Sequence, residues 1–329
     1  MPRRRDFLTM AAAVLGAPPL LTKPVLAQKY PERPVRLVIP FPPGGVYDAV
    51  GRPWVEKAGP HLGTIVVENI GGGGGSLGAA AVARAAPDGY TILLGGGGPM
   101  ILNVLAASKP VYDARKDFAT IDLLALTGLA LLVHVSVPAR TLKELIDHAR
   151  THSRKLSYGS AGVGSMNHLA GELFKSLIDA PDIVHVPYKG AGPALNDLIG
   201  GQIPMVMANV TGQIINLHNA GKLRILAVTT RERLVGAPHL PTTVEQGLPG
   251  MIAQNFIGLF APTGTPEAII SQIARASRLA VADTAYQKML LTSGLEPVMQ
   301  ASPQKTRAFF EEELGRWAPV VKSIGLKIN

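Results

Sequence analysis

The sequence predicts an α/β fold built as two lobes, on three observations. Short apolar runs alternate with helix-like stretches from Gln28 onward. The runs end in loops rich in glycine, where a chain turns from strand to helix. No internal repeat or long linker divides the chain, so two lobes crossed more than once fit better than two domains in tandem.

The elements follow in order. Val35–Pro40 reads as a strand, Pro42-Pro43-Gly44-Gly45 breaks it, and Asp48–Gly59 resumes as a helix. Thr64–Glu68 is the next strand, followed by the glycine run Gly71–Gly75 and a helix over Leu77–Ala86, closed by Pro87-Asp88-Gly89. Thr91–Leu94 is a strand that ends in Gly95–Gly98. The apolar run Leu123–Val137 is too short for a membrane span and carries Thr127, Gly128 and His134, so it reads as a buried strand pair or core segment. A second α/β unit begins near Leu129, with a strand over Leu129–Val135. Thr141–His152 is a helix with Thr141 and Glu144 placed as a capping box. Strand Leu156–Tyr158 leads into Gly159–Gly164, and Ser165 caps a helix whose Leu169, Leu173 and Leu177 share one face. Strands at Ile183–Val186, Met205–Ala208 and Arg224–Val228 precede helices at Glu267–Asp283, Ala285–Ser293 and Pro303–Ile324.

The N-terminus reads as an export signal. Arg3-Arg4-Arg5 precedes an apolar stretch, and Val25-Leu26-Ala27 offers small residues for cleavage before Gln28. Arg4-Arg5-x-Phe7-Leu8 fits the twin-arginine pattern, with an ordinary secretory signal bearing an extra arginine as the alternative. Either route takes the mature chain out of the cytoplasm. Loss of residues 1–27 removes four bases and one acid, so the net charge falls from +9 to +6, a mild excess that favours small anions. Lys and Arg are scattered, which argues against nucleic acid. With no cysteine, thiolate catalysis, disulfides and zinc–thiolate sites are excluded.

The glycine-rich loops are the candidate binding elements. Glycine lets backbone N–H groups approach a ligand, and the helix that follows adds positive potential at its N-terminus. Such a place holds a carboxylate or phosphate without Lys or Arg. Gly73-x-Gly75-x-x-Gly78 also matches a dinucleotide fingerprint, which makes an exported oxidoreductase the remote alternative. The fingerprint wants an acid at the end of the next strand, but Asp88 precedes that strand and glycines end it. Neither Ser160 nor Ser165 sits in a G-x-S-x-G elbow, and no loop carries the P-loop lysine. His148 and His152 lack the glutamate of a metalloprotease and read as a solvated helix face. His185 reads as a hydrogen-bonded strand residue. No catalytic residue, cofactor or metal is expected.

The loops in this order resemble the substrate-binding receptors of tripartite tricarboxylate transporters, the Bug family of periplasmic proteins. The likeness runs from about Tyr30 to Asn329. It is carried by Tyr30-Pro31-x-x-Pro34-Val35-Arg36, Pro40-Phe41-x-Pro43-Gly44-Gly45-x-x-Asp48, Val66-Val67-Glu68-Asn69 and Ala86-Pro87-Asp88-Gly89-Tyr90-Thr91. Further along are Tyr112-Asp113, Lys116-Asp117-Phe118, Leu156-x-Tyr158-Gly159-Ser160 and His168-Leu169-Ala170-Gly171-Glu172-Leu173-Phe174. His185-Val186-Pro187-Tyr188-Lys189-Gly190, Gly221-Lys222-Leu223-Arg224 and Gly258-Leu259-Phe260-Ala261-Pro262-x-Gly264-Thr265-Pro266 complete it.

The resemblance implies a type II periplasmic-binding-protein fold with the ligand cleft between the lobes. Residues 28–128 and 250–329 would form the first lobe and 129–249 the second, behind the signal at 1–27. It implies a monomer that captures a small carboxylate, a di- or tricarboxylate or an aromatic acid, and passes it to membrane transporter subunits. A periplasmic sensor domain is the alternative partner, with the same cleft. Carried over, the ligand loops are Pro43, Gly44, Gly45, Val46, Tyr47 and Asp48, with Ser160, Ala161, Gly162, Gly164 and Ser165 opposite. Gly96, Gly97, Asn209 and Phe256 would also line the cleft. Tyr47 stands where relatives carry a small polar residue, so its ring either stacks on an aromatic acid or narrows the cavity. Gly96 and Gly97 replace hydroxyl residues and open space. Ala208 stands where many relatives have Asp, which favours an acid without an amine.

Overall fold

The structure is a computed structural model that describes residues 30–328, so the export signal lies outside the described residues. Strand β1 (Val35–Ile39) is apolar and buried apart from Arg36, which is partly exposed. It runs parallel to β2 (Ile65–Asn69) on one side and β3 (Thr91–Gly96) on the other. Parallel neighbours require a crossover. Here the crossovers are α1 (Val46–Leu62) and α2 (Ser76–Ala83). A wide π-helical turn over Gly97–Leu102 leads to the short α3 (Asn103–Ala106).

The spine of the molecule is β4 (Phe118–Val133), one buried strand of 16 residues. The apolar run read as a strand pair or core segment is thus most of a single strand. An element covered on both faces carries no alternation to mark its ends. Beyond β4 come α4 (Leu142–His152), β5 (Ser157–Ser160), α5 (Met166–Leu177), β6 (Val184–Pro187), α6 (Ala191–Ile199), β7 (Met205–Asn209), α7 (Gly212–Asn219) and β8 (Arg224–Val228). The chain returns through β9 (Gln254–Pro262) and finishes in α8 (Glu267–Ala282), α9 (Thr284–Thr292), β10 (Leu295–Pro297) and α10 (Pro303–Ser323).

The sheet order is β2-β1-β3-β9-β4-β7-β5-β6, with β10 and β8 also paired to β4. This is a mixed α/β architecture of two lobes that share β4. From Phe118 to Gly128, β4 pairs antiparallel with β9, and from Leu129 to Val133 with β7 and β8. Register shifts at Thr120/Asp122 and Leu123/Ala125 bend the strand. Asp122, wholly buried in β4, accepts from Arg278 Nε at 2.8 Å and from the Ser277 hydroxyl. Trp54 Nε1 of α1 donates to the same hydroxyl at 3.1 Å, so one polar knot ties α1, α8 and β4.

Two helix details differ from the sequence reading. Thr141 caps α4 by accepting from Glu144 N, but the Glu144 carboxylate takes the N–H of Arg140 and not that of Thr141. On α5, Leu169 and Leu173 are buried while Leu177 is 37% exposed, because the helix ends there and its last turn leaves the core.

Candidate functional site

Two strand-to-helix turns face each other across a cavity. The first leaves β1 at Pro40 and opens α1. Asp48, in the first turn of α1, accepts the Gly44 N–H at 3.1 Å and Arg52 Nε at 2.7 Å. Asn69 at the end of β2 donates to Phe41 O at 2.8 Å. These bonds fix the loop, so Asp48 shapes the turn and its carboxylate does not line the cavity. Gly45, Val46 and Tyr47 do, with Phe41 and Pro42 beside them.

The second turn joins β5 to α5. Ser165 caps the helix by accepting from His168 N at 3.2 Å while its hydroxyl donates to Gly162 O at 2.7 Å. Ser160 is fully buried. Its Oγ accepts from Gly162 N at 3.1 Å and lies 2.7 Å from His185 Nε2. His185 is sandwiched between Tyr158 and His168, with ring centroids 4.9 and 4.1 Å away. Burial, reinforced by His168 and Lys175, lowers its pKa to about 3 and keeps the imidazole neutral. Ser160 and Gly162 are therefore committed to the loop, whereas Ala161 and Ser165 reach the cavity with Met166 and Asn167.

Between the turns runs a series of three amides. Gly97 N donates to Asn255 Oδ1 at 2.9 Å, Asn255 Nδ2 donates to Asn209 Oδ1 at 3.0 Å, and Asn209 Nδ2 reaches Asn167 Oδ1 at 3.5 Å. Asn167 Nδ2, on a side chain only 2% exposed, has no acceptor. All three amides line the cavity. Asn167 and Asn255 were not singled out from the sequence. The one available signal was Asn167's place two residues after the Ser165 cap.

Tyr47 is the other feature that the fold explains. Its ring stacks on Phe41 at 4.6 Å, and Asn255 lies beside its hydroxyl. Burial pushes the phenol well above its ordinary range, so it stays protonated. A Cβ added at Gly96 would come 2.2 Å from that hydroxyl, and one at Gly97 would come 2.4 Å from Met166 Cγ. Neither glycine lines the cavity, because the space they leave is filled by Tyr47 and Met166. Phe256 packs edge-on against Phe309, since neighbours on a strand face opposite ways and Asn255 takes the cavity side. By the same alternation Ala208 faces a buried core cluster and Asn209 the cavity, so the residue at 208 does not meet a ligand. The lining carries no charged side chain among the described residues. The cavity is about 20 Å³, where one water needs ~10–15 Å³.

The glycine run after β2 has a different task. A Cβ on Gly74 would fall 2.4 Å from Gly164 C and Val163 O, and one on Gly98 2.8 Å from Gly74 O. Backbone thus meets backbone between the run and the β5–α5 loop, which leaves no cradle for a pyrophosphate. Pro43 and Gly44 complete the first turn without lining the cavity.

Chemically, the first turns of α1 and α5 present N–H groups without intrahelical acceptors. With the Asn167 amide and the two helix dipoles, they suit an anion held by neutral donors.

Residues 52–326 match the family described as tripartite tricarboxylate transporter family receptor. Among solved structures, the periplasmic binding protein BugD is 33% identical with a TM-score of 0.86, over 91% of this chain and 99% of that one. MatC from Rhodopseudomonas palustris, with bound malate, is 33% identical with a TM-score of 0.85, over 89% of this chain and 100% of its own. An R. palustris protein with adipate is 34% identical with a TM-score of 0.86, over 91% and 99%.

Proposed function

We propose that this chain, which belongs to the tripartite tricarboxylate transporter receptor family, captures a small organic carboxylate without an amine and delivers it to a transporter of that kind. The observation that carries the reading is Asn167 Nδ2, a buried donor without an acceptor on the wall of a cavity flanked by two helix N-termini. A carboxylate oxygen supplies the missing acceptor, and a charge-assisted bond of this sort contributes ~1.5–3 kcal/mol. An ammonium group would meet no carboxylate in the lining, which speaks against amino acids. Related receptors with malate and with adipate support an acid as the ligand class.

Several finer points belong to the same reading. The ligand loops are those around Gly45–Tyr47 and Ala161–Asn167, with Asn209 and Asn255 between them. The lobes divide at 128/129 and 249/250, near where β4 changes partners. The chain is exported through its N-terminal twin-arginine signal, works in the periplasm as a monomer, hands ligand to membrane subunits and performs no turnover.

The test is a thermal-shift screen of the mature protein against amine-free mono-, di- and tricarboxylates, aromatic acids, amino acids and dinucleotides. A ligand at about 100 times its Kd adds ~2.7 kcal/mol of stability. Amine-free acids are expected to raise Tm. A response confined to amino acids or dinucleotides rejects the reading.

A further inference from the structure

We infer that Tyr47 is a fixed wall that limits the length of the ligand, so that the cleft favours short acids over longer chains and aromatic rings. The inference rests on the carboxylate reading above and adds a size to it.

The surroundings hold the ring. One face lies on Phe41, Asn255 lies beside the hydroxyl, and the hydroxyl sits over Gly96, where even a methyl would collide with it. Swinging the ring aside gives up the stacking on Phe41 and the seat at Gly96. With one face on Phe41 and the hydroxyl seated at Gly96, Tyr47 is part of the wall and not a lid. The remaining cavity of about 20 Å³ lies among Tyr47, Met166 and the three amides, so the ring stands where a longer ligand would extend. The amide series runs from Asn255, beside the Tyr47 hydroxyl, to Asn167, so the wall and the donor proposed for the acid lie along one line.

The experiment compares wild type, Tyr47→Phe and Tyr47→Ser by calorimetry against acetate, malonate, malate, adipate and benzoate, with circular dichroism to confirm folding. Wild type is expected to bind malate or a shorter acid at least tenfold more tightly than adipate and benzoate. Tyr47→Phe keeps the ring and the same order. Tyr47→Ser brings adipate or benzoate to within about threefold of malate. Wild type that binds adipate or benzoate as tightly as malate overturns the inference while leaving the carboxylate reading intact. So does a folded Tyr47→Ser that keeps the wild-type order. Should the serine variant not fold, the wild-type and Tyr47→Phe series still decide. If none of the five acids binds wild type or Tyr47→Ser, the inference falls, and the broader acid screen decides the carboxylate reading.

Discussion

Asn209 Nδ2 reaches Asn167 Oδ1 at 3.5 Å, and this single contact sets the orientation of the Asn167 amide, with its own Nδ2 left unpartnered beside the cavity. A buried donor without an acceptor costs the chain ~1–3 kcal/mol. Replacing it by alanine therefore leaves the stability of the ligand-free protein close to wild type, since a relieved donor offsets the lost contact with Asn209. Affinity for the bound acid falls roughly tenfold to a hundredfold, the equivalent of one charge-assisted bond. Asn167→Asp sets a negative charge beside the acid and abolishes binding. Calorimetry and a denaturant melt on the same samples check both halves. Unchanged affinity in Asn167→Ala would remove the amide from the binding site.

Gly74 sits where the glycine run after β2 meets the β5–α5 loop. Its φ is +61°, and an added Cβ would strike the backbone at Val163, Gly164 and Ser165. These atoms belong to the loop that opens α5, so the collision falls between the run and that loop. Gly74→Ala is expected to fold, with a left-handed alanine costing ~1 kcal/mol, but to hold the run and the loop apart. Ligand affinity drops by about a hundredfold or more. Small-angle scattering, which would register compaction of wild type with ligand, registers none for the variant. Wild-type affinity in a folded Gly74→Ala would show that this contact is not needed for binding.

How much of this was legible beforehand divides by the kind of signal. The α/β order, the capped helices at Thr141 and Ser165 and most strands could be read, because periodicity and caps are local properties. Strand β9 is not legible as a strand, since Phe256–Pro262 is buried and apolar without alternation and the strand takes its identity from pairing with β3 and β4. The loop at Gly45–Tyr47 was visible as glycine before a helix. The amides were not, because Asn167, Asn209 and Asn255 are far apart in sequence and meet only when α5, β7 and β9 converge. The question left open for Tyr47 depended on Phe41, Gly96 and Asn255 in the same way. No sequence pattern states that the space freed at Gly96 is taken by a hydroxyl from position 47.

A buried and a half-buried group give the stability of the protein opposite responses to acid. Burial raises the Asp122 pKa to about 6 despite Arg278 and Ser277, against ~3.9 in an unfolded chain. The folded protein then holds more protons between those values. This group's contribution is complete below the unfolded value and is lost as pH rises through 6. His185 is the reverse, at about 3 folded against ~6.5 unfolded. Its contribution is present above 6.5 and is lost as pH falls toward 3. Asp122→Asn removes the first response, so on going from about pH 3 to pH 7 the variant gains ~3 kcal/mol relative to wild type. His185→Gln, which can keep a hydrogen bond to Ser160, removes the second and flattens the loss of stability on the acid side. Urea melts at half-unit pH steps separate the two. Variant curves that run parallel to wild type would mean that neither group titrates in the folded chain as its surroundings dictate.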